Sequence, residues 1–229
     1  MSTHGGTSTS APPATTVTGP DAIGAPAVVG TGLHYARNDH HHGLPALDYN
    51  AMQYNDLLGW SQDPSTYDTQ LIMPAAATIF LARIPLPAAV TVTNVLAYLS
   101  ALGGTLTHSF LALFKSNGTI VGQSADQSTP WEAGGTLGLY TLPLAGGPFV
   151  VSPLATNDFV WAAIYVGTAV TLPTFETGVA APTVLLNAGC TAARSRDGQI
   201  AQANTATLAS IVPANILTTS GYNPWLGIS

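Results

Sequence analysis

From about Thr66 onward, the apolar residues occur in short runs that Gly, Pro, Asn and Ser separate. Val90 and Val92 alternate with threonines, a pattern typical of a strand that buries one face. Other runs are apolar at both alternating sets of positions, so we expect both faces of those strands to be covered. The clearest examples are SFLALFK at 109–115 and DFVWAAIYVG at 158–167.

Two local signals complete the predicted fold. Asn117-Gly118, between FLALFKS and TIVGQ, predicts a hairpin with a type I′ turn, which needs positive φ at both positions. About eight antiparallel strands without intervening helices favour a mainly β fold, an antiparallel jelly-roll β-sandwich over residues 63–229. In the final PWLGIS, we expect Trp225 and Leu226 to form part of the last strand and to close this sandwich.

Residues 31–62 combine a histidine-rich segment with a stretch of helical period that Gly59 ends. Apolar residues there are spaced 4, 3 and 4 apart, the a/d step of a coiled coil, at Leu47, Ala51, Tyr54 and Leu58. One interpretation is a short helical neck that joins several chains. The other is an amphipathic helix packed on its own domain, because barely two heptads cannot hold chains together unaided.

Residues 1–30 are rich in Ser, Thr, Ala, Gly and Pro and have no hydrophobic period. Such a segment has no core of its own, so we predict an extended anchoring arm that a partner surface holds. The same residues lack the basic and apolar regions of a signal peptide. The longest apolar run, FVWAAIYV at 159–166, is too short to cross a bilayer, and we expect no membrane insertion.

The composition limits the classes of partner. Only 7% of the residues are charged, so Thr, Ser, Asn, Gln and Gly must form much of the surface, which favours coverage by neighbouring subunits. The chain has 5 basic and 11 acidic residues, and this balance excludes an electrostatic footprint for nucleic acid. The single cysteine, Cys190, excludes an internal disulfide and is expected to be a small core residue.

The segment VVGTGLHYARNDHHHGLP, residues 28–45, resembles a segment of tailed-bacteriophage fibre and minor tail proteins. The matching residues are Asp39, His40, His42 and Gly43, with Ala36-Arg37 upstream, whereas His41 stands at a position that is usually apolar. The resemblance implies association of three chains at this element, and in some fibres related His-x-His pairs bind a metal on the three-fold axis. On this interpretation the trimer contacts are Asp39, His41, Leu47, Ala51, Tyr54 and Leu58.

The geometry of an extended chain is compatible with a metal at His40 and His42, because residues i and i+2 project to the same side. Three chains would present six nitrogens, a set that suits Fe²⁺, Ni²⁺ or Co²⁺ better than Zn²⁺. The alternative is a metal-free axis at which the rings stack or bind backbone carbonyls, with Asp39 fixing one ring.

A second stretch, LALFKSNGTIVGQSADQSTPWEAGGTLGLYTLPL at 111–144, resembles a jelly-roll module of minor tail proteins from actinobacterial phages. This resemblance implies a structural or host-contacting domain, with a cell-surface glycan as a candidate ligand. We therefore expect a virion protein: a homotrimeric minor tail, tail-tip or fibre component that docks on other phage proteins through residues 1–30. The alternative is a head fibre or decoration protein anchored to the capsid by the same arm.

Enzyme chemistry has one candidate location, the segment SADQSTPWEAGG. Asp126 and Glu132 flank Trp131 there, and a carboxylate pair beside an aromatic ring is what a glycosidase or a sugar platform could use. We retain Asp126 and Trp131 as candidate ligand-binding residues. In such loops, however, a carboxylate more often caps a turn and a Trp more often covers the core. Because no hydrolase, nucleotide or metalloprotease motif occurs, we expect no enzyme activity.

Overall fold

The computed structural model describes residues 56–63, 67–72, 75–155, 158–178, 189–218 and 223–229, all within the unit Met52–Ser229. This part of the chain is mainly β, with no α-helix and two short 3-10 helices, Ala192–Arg194 and Pro213–Asn215. The strands are β1 Gly59–Trp60, β2 Tyr67–Ile72, β3 Thr78–Leu86, β4 Val90–Val92, β5 Asn94–Ala101, β6 Thr107–Lys115, β7 Ile120–Gln123, β8 Gly138–Pro143, β9 Phe149–Val151, β10 Asp158–Thr168, β11 Thr174–Gly178, β12 Asp197–Ala201 and β13 Leu226–Ile228.

The strands form two main antiparallel sheets and one small ribbon. The first sheet has the order β12-β3-β10-β6-β7, with β10 at its centre. The second has the order β1-β13-β5-β11-β2, and β8 pairs with the opposite side of β5. Strands β13 and β11 lie end to end along β5, because Leu226 is opposite Ala97 and Phe175 is opposite Leu99. The ribbon consists of β4 and β9.

The main core lies between the two sheets. One alternating set of residues from β3, β6 and β10 meets the inward set of β5, β11 and β13 there. The largest fully buried members are Phe80, Ile84, Leu99, Leu111, Trp131 and Phe175. This arrangement confirms the prediction of a mainly β, antiparallel architecture, in which two sheets face each other across a core.

The opposite face of the first sheet is also covered. Its side chains include Phe110 and Phe114 of β6 and Trp161 and Tyr165 of β10. The segment 203–217 lies over them and contributes Leu208, Ile211 and Ile216. The Tyr165 hydroxyl donates a hydrogen bond to Ala203 O at 2.7 Å. The expectation that both faces of these strands are covered is therefore confirmed, and the second cover is a loop layer.

The hairpin at Asn117-Gly118 is confirmed, but its predicted turn type is wrong. Gly118 has φ +85, whereas Asn117 is not among the residues with positive φ. Gly118 N donates to Lys115 O and Lys115 N donates to Thr119 O, both at 2.8 Å, so a tight turn is followed by one left-handed glycine. A Cβ on Gly118 would lie 2.1 Å from Ile211 O, so the tip packs directly on the loop layer.

The predicted helical neck does not extend to Leu58. Asp56 lies in a turn with φ 55, and Gly59–Trp60 is already a strand that pairs with β13. Leu57 is buried against Leu96 and Trp225, so the sandwich includes residues that the sequence analysis assigned to the neck. Leu58 is 43% exposed.

The rest of the predicted neck and all of the arm lie outside the described residues. They include residues 1–30, the histidine segment and the proposed contacts Leu47, Ala51 and Tyr54.

The final residues occupy the middle of the second sheet. Strand β13 pairs with β1 on one side and with β5 on the other. Leu226 is fully buried in the main core, and Trp225 is buried on the outer face of the same sheet. Ser229 O accepts hydrogen bonds from Thr93 N and Asn94 N. The prediction is confirmed for Leu226, which lies in the last strand and in the main core, whereas Trp225 directly precedes this strand and packs on the outer face.

Removal of residues 222–229 should unfold the β-domain, because it takes a strand from inside the second sheet. A milder change, Leu226→Ala, should lower the free energy of unfolding by about 2–5 kcal/mol. Val150→Ala, at a side chain that is 71% exposed, is the matched control and should change stability by less than about 0.5 kcal/mol. Denaturant unfolding measures all three. A truncated chain that melts like the intact one would contradict this role of β13.

Candidate functional site

The loop between β7 and β8 contains both candidate ligand-binding residues. It runs from Ser124, which forms a bridge with Leu144, to Leu137. Ser124 Oγ accepts a hydrogen bond from Leu111 N at 3.2 Å, and Gln127 N donates to Ser109 O at 2.7 Å. These bonds bind the first half of the loop along β6.

Asp126 caps this part of the loop. Its Oδ1 accepts hydrogen bonds from Ser128 N at 2.9 Å, from Ser128 Oγ at 2.6 Å and from Ser109 N at 3.0 Å. Burial alone would raise the pKa of the carboxyl, but these bonds and the nearby His108 outweigh it and lower the pKa below its ordinary value. Asp126 therefore forms the Asx-turn that the sequence analysis gave as the alternative to a ligand site.

Trp131 is fully buried, so its ring offers no face to a ligand. It makes edge-to-face contacts with Phe175, at 5.1 Å between ring centroids, and with Tyr140, at 6.2 Å. The Tyr140 hydroxyl donates to Pro130 O at 3.0 Å and to Thr136 O at 2.7 Å. The prediction that Trp131 binds a ligand as a sugar platform is therefore wrong. The Gly-rich loop folds its indole ring into the main core, where apolar burial stabilises it.

Glu132 binds a different part of the chain from Asp126. Its Oε1 accepts a hydrogen bond from Leu106 N, immediately before β6, and Gly103 N donates to Trp131 O at 2.8 Å. One carboxylate thus fixes the approach to β6 and the other fixes Ser109 within it. The loop therefore clamps β6. The two carboxylates, which a glycosidase would use on its substrate, here bind the backbone of the protein itself.

A polar cluster at the start of β6 was missed by the sequence analysis. His108 has φ 53, and its Nδ1 lies 2.8 Å from Asn204 Oδ1. Asn204 packs on Gly167, where a Cβ would lie 2.2 Å from its Oδ1. Only tertiary folding joins these residues, and the only sequence signal is an isolated histidine beside a strand. The cluster connects the loop layer to β6, through His108, and to β10, through Gly167.

Three of the five basic residues of the chain also meet, at Arg83, Arg194 and Arg196, beside Cys190. Arg83 Nη1 donates to Arg194 O at 2.5 Å, and both guanidinium groups lie over the Phe159 ring, at 5.5 and 5.8 Å from its centroid. Burial lowers the pKa of Arg83. The nearby Cys190 opposes this shift, and the charges of Arg196 and Arg194 add to it. Cys190 is only partly buried, so it is not the small core residue that was expected.

The candidate metal ligands His40 and His42, and the contacts Asp39 and His41, lie outside the described residues. Within the described ranges, no group of three or more His, Cys, Asp or Glu side chains is placed to hold a metal ion. The same part of the chain has no helix that is long and apolar enough to span a bilayer.

Asp126→Asn should destabilise the β-domain at neutral pH, because it weakens charge-assisted hydrogen bonds to the backbone. The loss should be only about 1 kcal/mol, because solvent screens the exposed carboxylate. The folded-state pKa of Asp126 is lowered, so its contribution is full above the ordinary value of 3.8 and is lost as the pH falls through the folded pKa. The difference between wild type and variant in denaturant unfolding should therefore shrink in acid. A difference that is constant with pH would show that the charge has no role.

No protein-family model and no curated protein matches the chain.

Proposed function

We propose that this chain is a virion structural protein of a tailed bacteriophage, a homotrimeric minor tail, tail-tip or fibre component. Residues 1–30 anchor it to other phage proteins, and the β-domain is exposed for attachment to the host surface, with a glycan as the ligand class. The support from sequence is the resemblance of residues 28–45 and 111–144 to such proteins.

The observation that carries the proposal is the use of the polar groups in the β7–β8 loop. Asp126 and Glu132 both bind backbone N–H groups at or before β6, and Trp131 is in the core. The residues that most resembled a reaction centre therefore rigidify the domain. In this β-domain the loop carboxylates accept hydrogen bonds from its own backbone. Such an arrangement fits a structural component of a particle better than a hydrolase, whose carboxylates act on a substrate.

The connections between sheets support a jelly-roll assignment within this proposal. The chain passes from β5 in the second sheet to β6 and β7 in the first, and returns to β8 in the second. It later passes from β10 in the first sheet to β11 in the second, the same direction as from β7 to β8. Such repeated crossing between two antiparallel sheets is typical of Greek-key and jelly-roll sandwiches.

The surface chemistry supports assembly with other subunits. The chain has only 7% charged residues, and exposed apolar side chains include Val150 at 71% and Val170 at 81%. Isolated apolar residues on a surface are ordinary, but a low charge density makes a free monomer prone to association. Neighbouring subunits in a particle would cover such a surface.

Deletion of residues 1–30 should abolish incorporation into phage particles while the purified protein stays trimeric, because the arm anchors and the neck associates. Immunogold labelling of particles made with the full chain should give clusters at the tail. Label dispersed over the head would favour the alternative, a capsid-associated fibre or decoration protein. Truncated protein that enters particles normally would refute the anchoring role.

Native mass with and without a chelator tests the trimer and the proposed metal together. If His40 and His42 from three chains share a transition metal, the chelator or the double change His40→Ala/His42→Ala should lower trimer stability. His41→Ala is the matched control for metal binding and should leave the chelator sensitivity unchanged, because in an extended chain His41 projects to the side opposite His40 and His42. A trimer free of metal and insensitive to chelator would leave the histidines as packing residues at the three-fold contact.

A further inference from the structure

We propose that the edge of β8, with the outer face beside it, binds a second copy of this chain, and that the two β8 strands pair antiparallel. The occupant is a second copy because the site offers strand backbone that no described residue pairs with, beside a neutral apolar face. β8 is itself an extended segment with the same two properties. The contact would continue the second sheet across a two-fold axis.

Two other edge strands of the fold are covered by the loop layer. At β7, Ile120 N donates to Ser210 Oγ at 3.1 Å, and the Gln123 side chain binds Leu208 N and Ala206 O. At β12, Gln199 exchanges backbone hydrogen bonds with Leu217 at 2.8 and 3.0 Å. The loop layer thus occupies both edges, and it satisfies the backbone of Ile120 and Gln199, which would otherwise invite another strand.

The edge of β8 has no comparable cover. Its residues pair with β5 on one side, from Asn94 opposite Pro143 to Leu99 opposite Gly138. On the other side, no strand or backbone hydrogen bond from the described residues reaches Gly138–Leu142. The five residues Gly138–Leu142 form this edge, since Pro143 has no N–H to donate, and five is an ordinary length for a strand.

The side chains beside the edge form an exposed apolar patch. Leu139 is 56% exposed and lies opposite Tyr98 of β5, which is 42% exposed. Leu137, just before β8, is 53% exposed. Direct cross-strand pairs share one face of a sheet, so Leu139 and Tyr98 lie together on the outer face, where a partner sheet would bury them.

The charge distribution favours contact between two copies of this chain at the β8 edge. The chain has a net charge of −6, which repels copies over most of the surface. Yet residues 133–157 and 84–114, which supply β8 and β5, contain no Asp, Glu, Lys or Arg. Natural edge strands are commonly protected by charge, and this one is not. Two copies can therefore meet here without like-charge repulsion.

This contact is independent of the proposed phage function. A two-fold pairing of β8 cannot create a trimer, so it would join two monomers or two trimers according to the state of the neck. For single chains the contact doubles the native mass, and for trimers it does so when all three β8 edges of one trimer pair with those of one other trimer.

Leu139→Glu in the full chain tests the contact, because a two-fold axis at β8 brings the two introduced charges close together on one face, where they oppose pairing. The native mass, followed over a range of protein concentration, should be half that of wild type. Val170→Glu, at a side chain that is 81% exposed and outside both strands, is the matched control and should keep the wild-type mass. Thermal melting checks that each variant is folded.

The decisive arm is a charge swap. Leu139→Lys alone should also halve the mass, and an equimolar mixture of Leu139→Glu and Leu139→Lys should restore the doubled species. Equal masses for wild type and Leu139→Glu at all concentrations would overturn the proposal. A mixture that stays at half mass would also overturn it, since only pairing of the two β8 edges predicts rescue.

Discussion

Much of this structure depends on the apolar character of both faces of the first sheet. Strand β10 is buried from Asp158 to Gly167, and its alternating side chains enter two separate clusters. Such a strand is stable only if each face is removed from water, and the transfer of apolar surface is the main favourable term in folding. The second sheet covers one face. The segment 203–217, which has little regular structure, must cover the other.

The remaining features follow from this three-layer arrangement. The loop layer reaches the hairpin tip at Gly118, covers the β7 and β12 edges, and binds His108 through Asn204. On the opposite side, the β7–β8 loop inserts Trp131 into the main core and fixes β6 with its two carboxylates. Irregular segments thus supply packing and backbone hydrogen bonds that a larger fold would obtain from helices.

The sequence predicted the strands well because their periodicity is local. The runs around Phe110 and Trp161 identified two-sided burial, and PWLGIS identified a buried final strand. The turn at Gly118 was mistyped because its conformation is set by contact with Ile211, far away in sequence. The neck was extended too far because a spacing of 4, 3 and 4 cannot show that Leu57 already packs on Leu96.

The candidate site was harder to predict for the same reason. Aspartate and tryptophan are compatible with both a clamp and a binding surface, and only the direction of each side chain distinguishes them. Trp131 is buried within a tight turn, in which a Cβ on Gly135 would lie 1.8 Å from Pro130 O. The sequence signals this close approach only as a pair of glycines.

The central claim, that an irregular loop forms a true third layer, is tested most directly by a neighbouring pair of substitutions. Ile211 is buried on the first sheet, and Val212 beside it is 57% exposed. Ile211→Ala should lower the free energy of unfolding, measured with denaturant, by about 2–5 kcal/mol. Val212→Ala should change it by less than about 0.5 kcal/mol. Equal and small effects at both positions would contradict the account, because the segment would then only rest on a sheet that is stable without it.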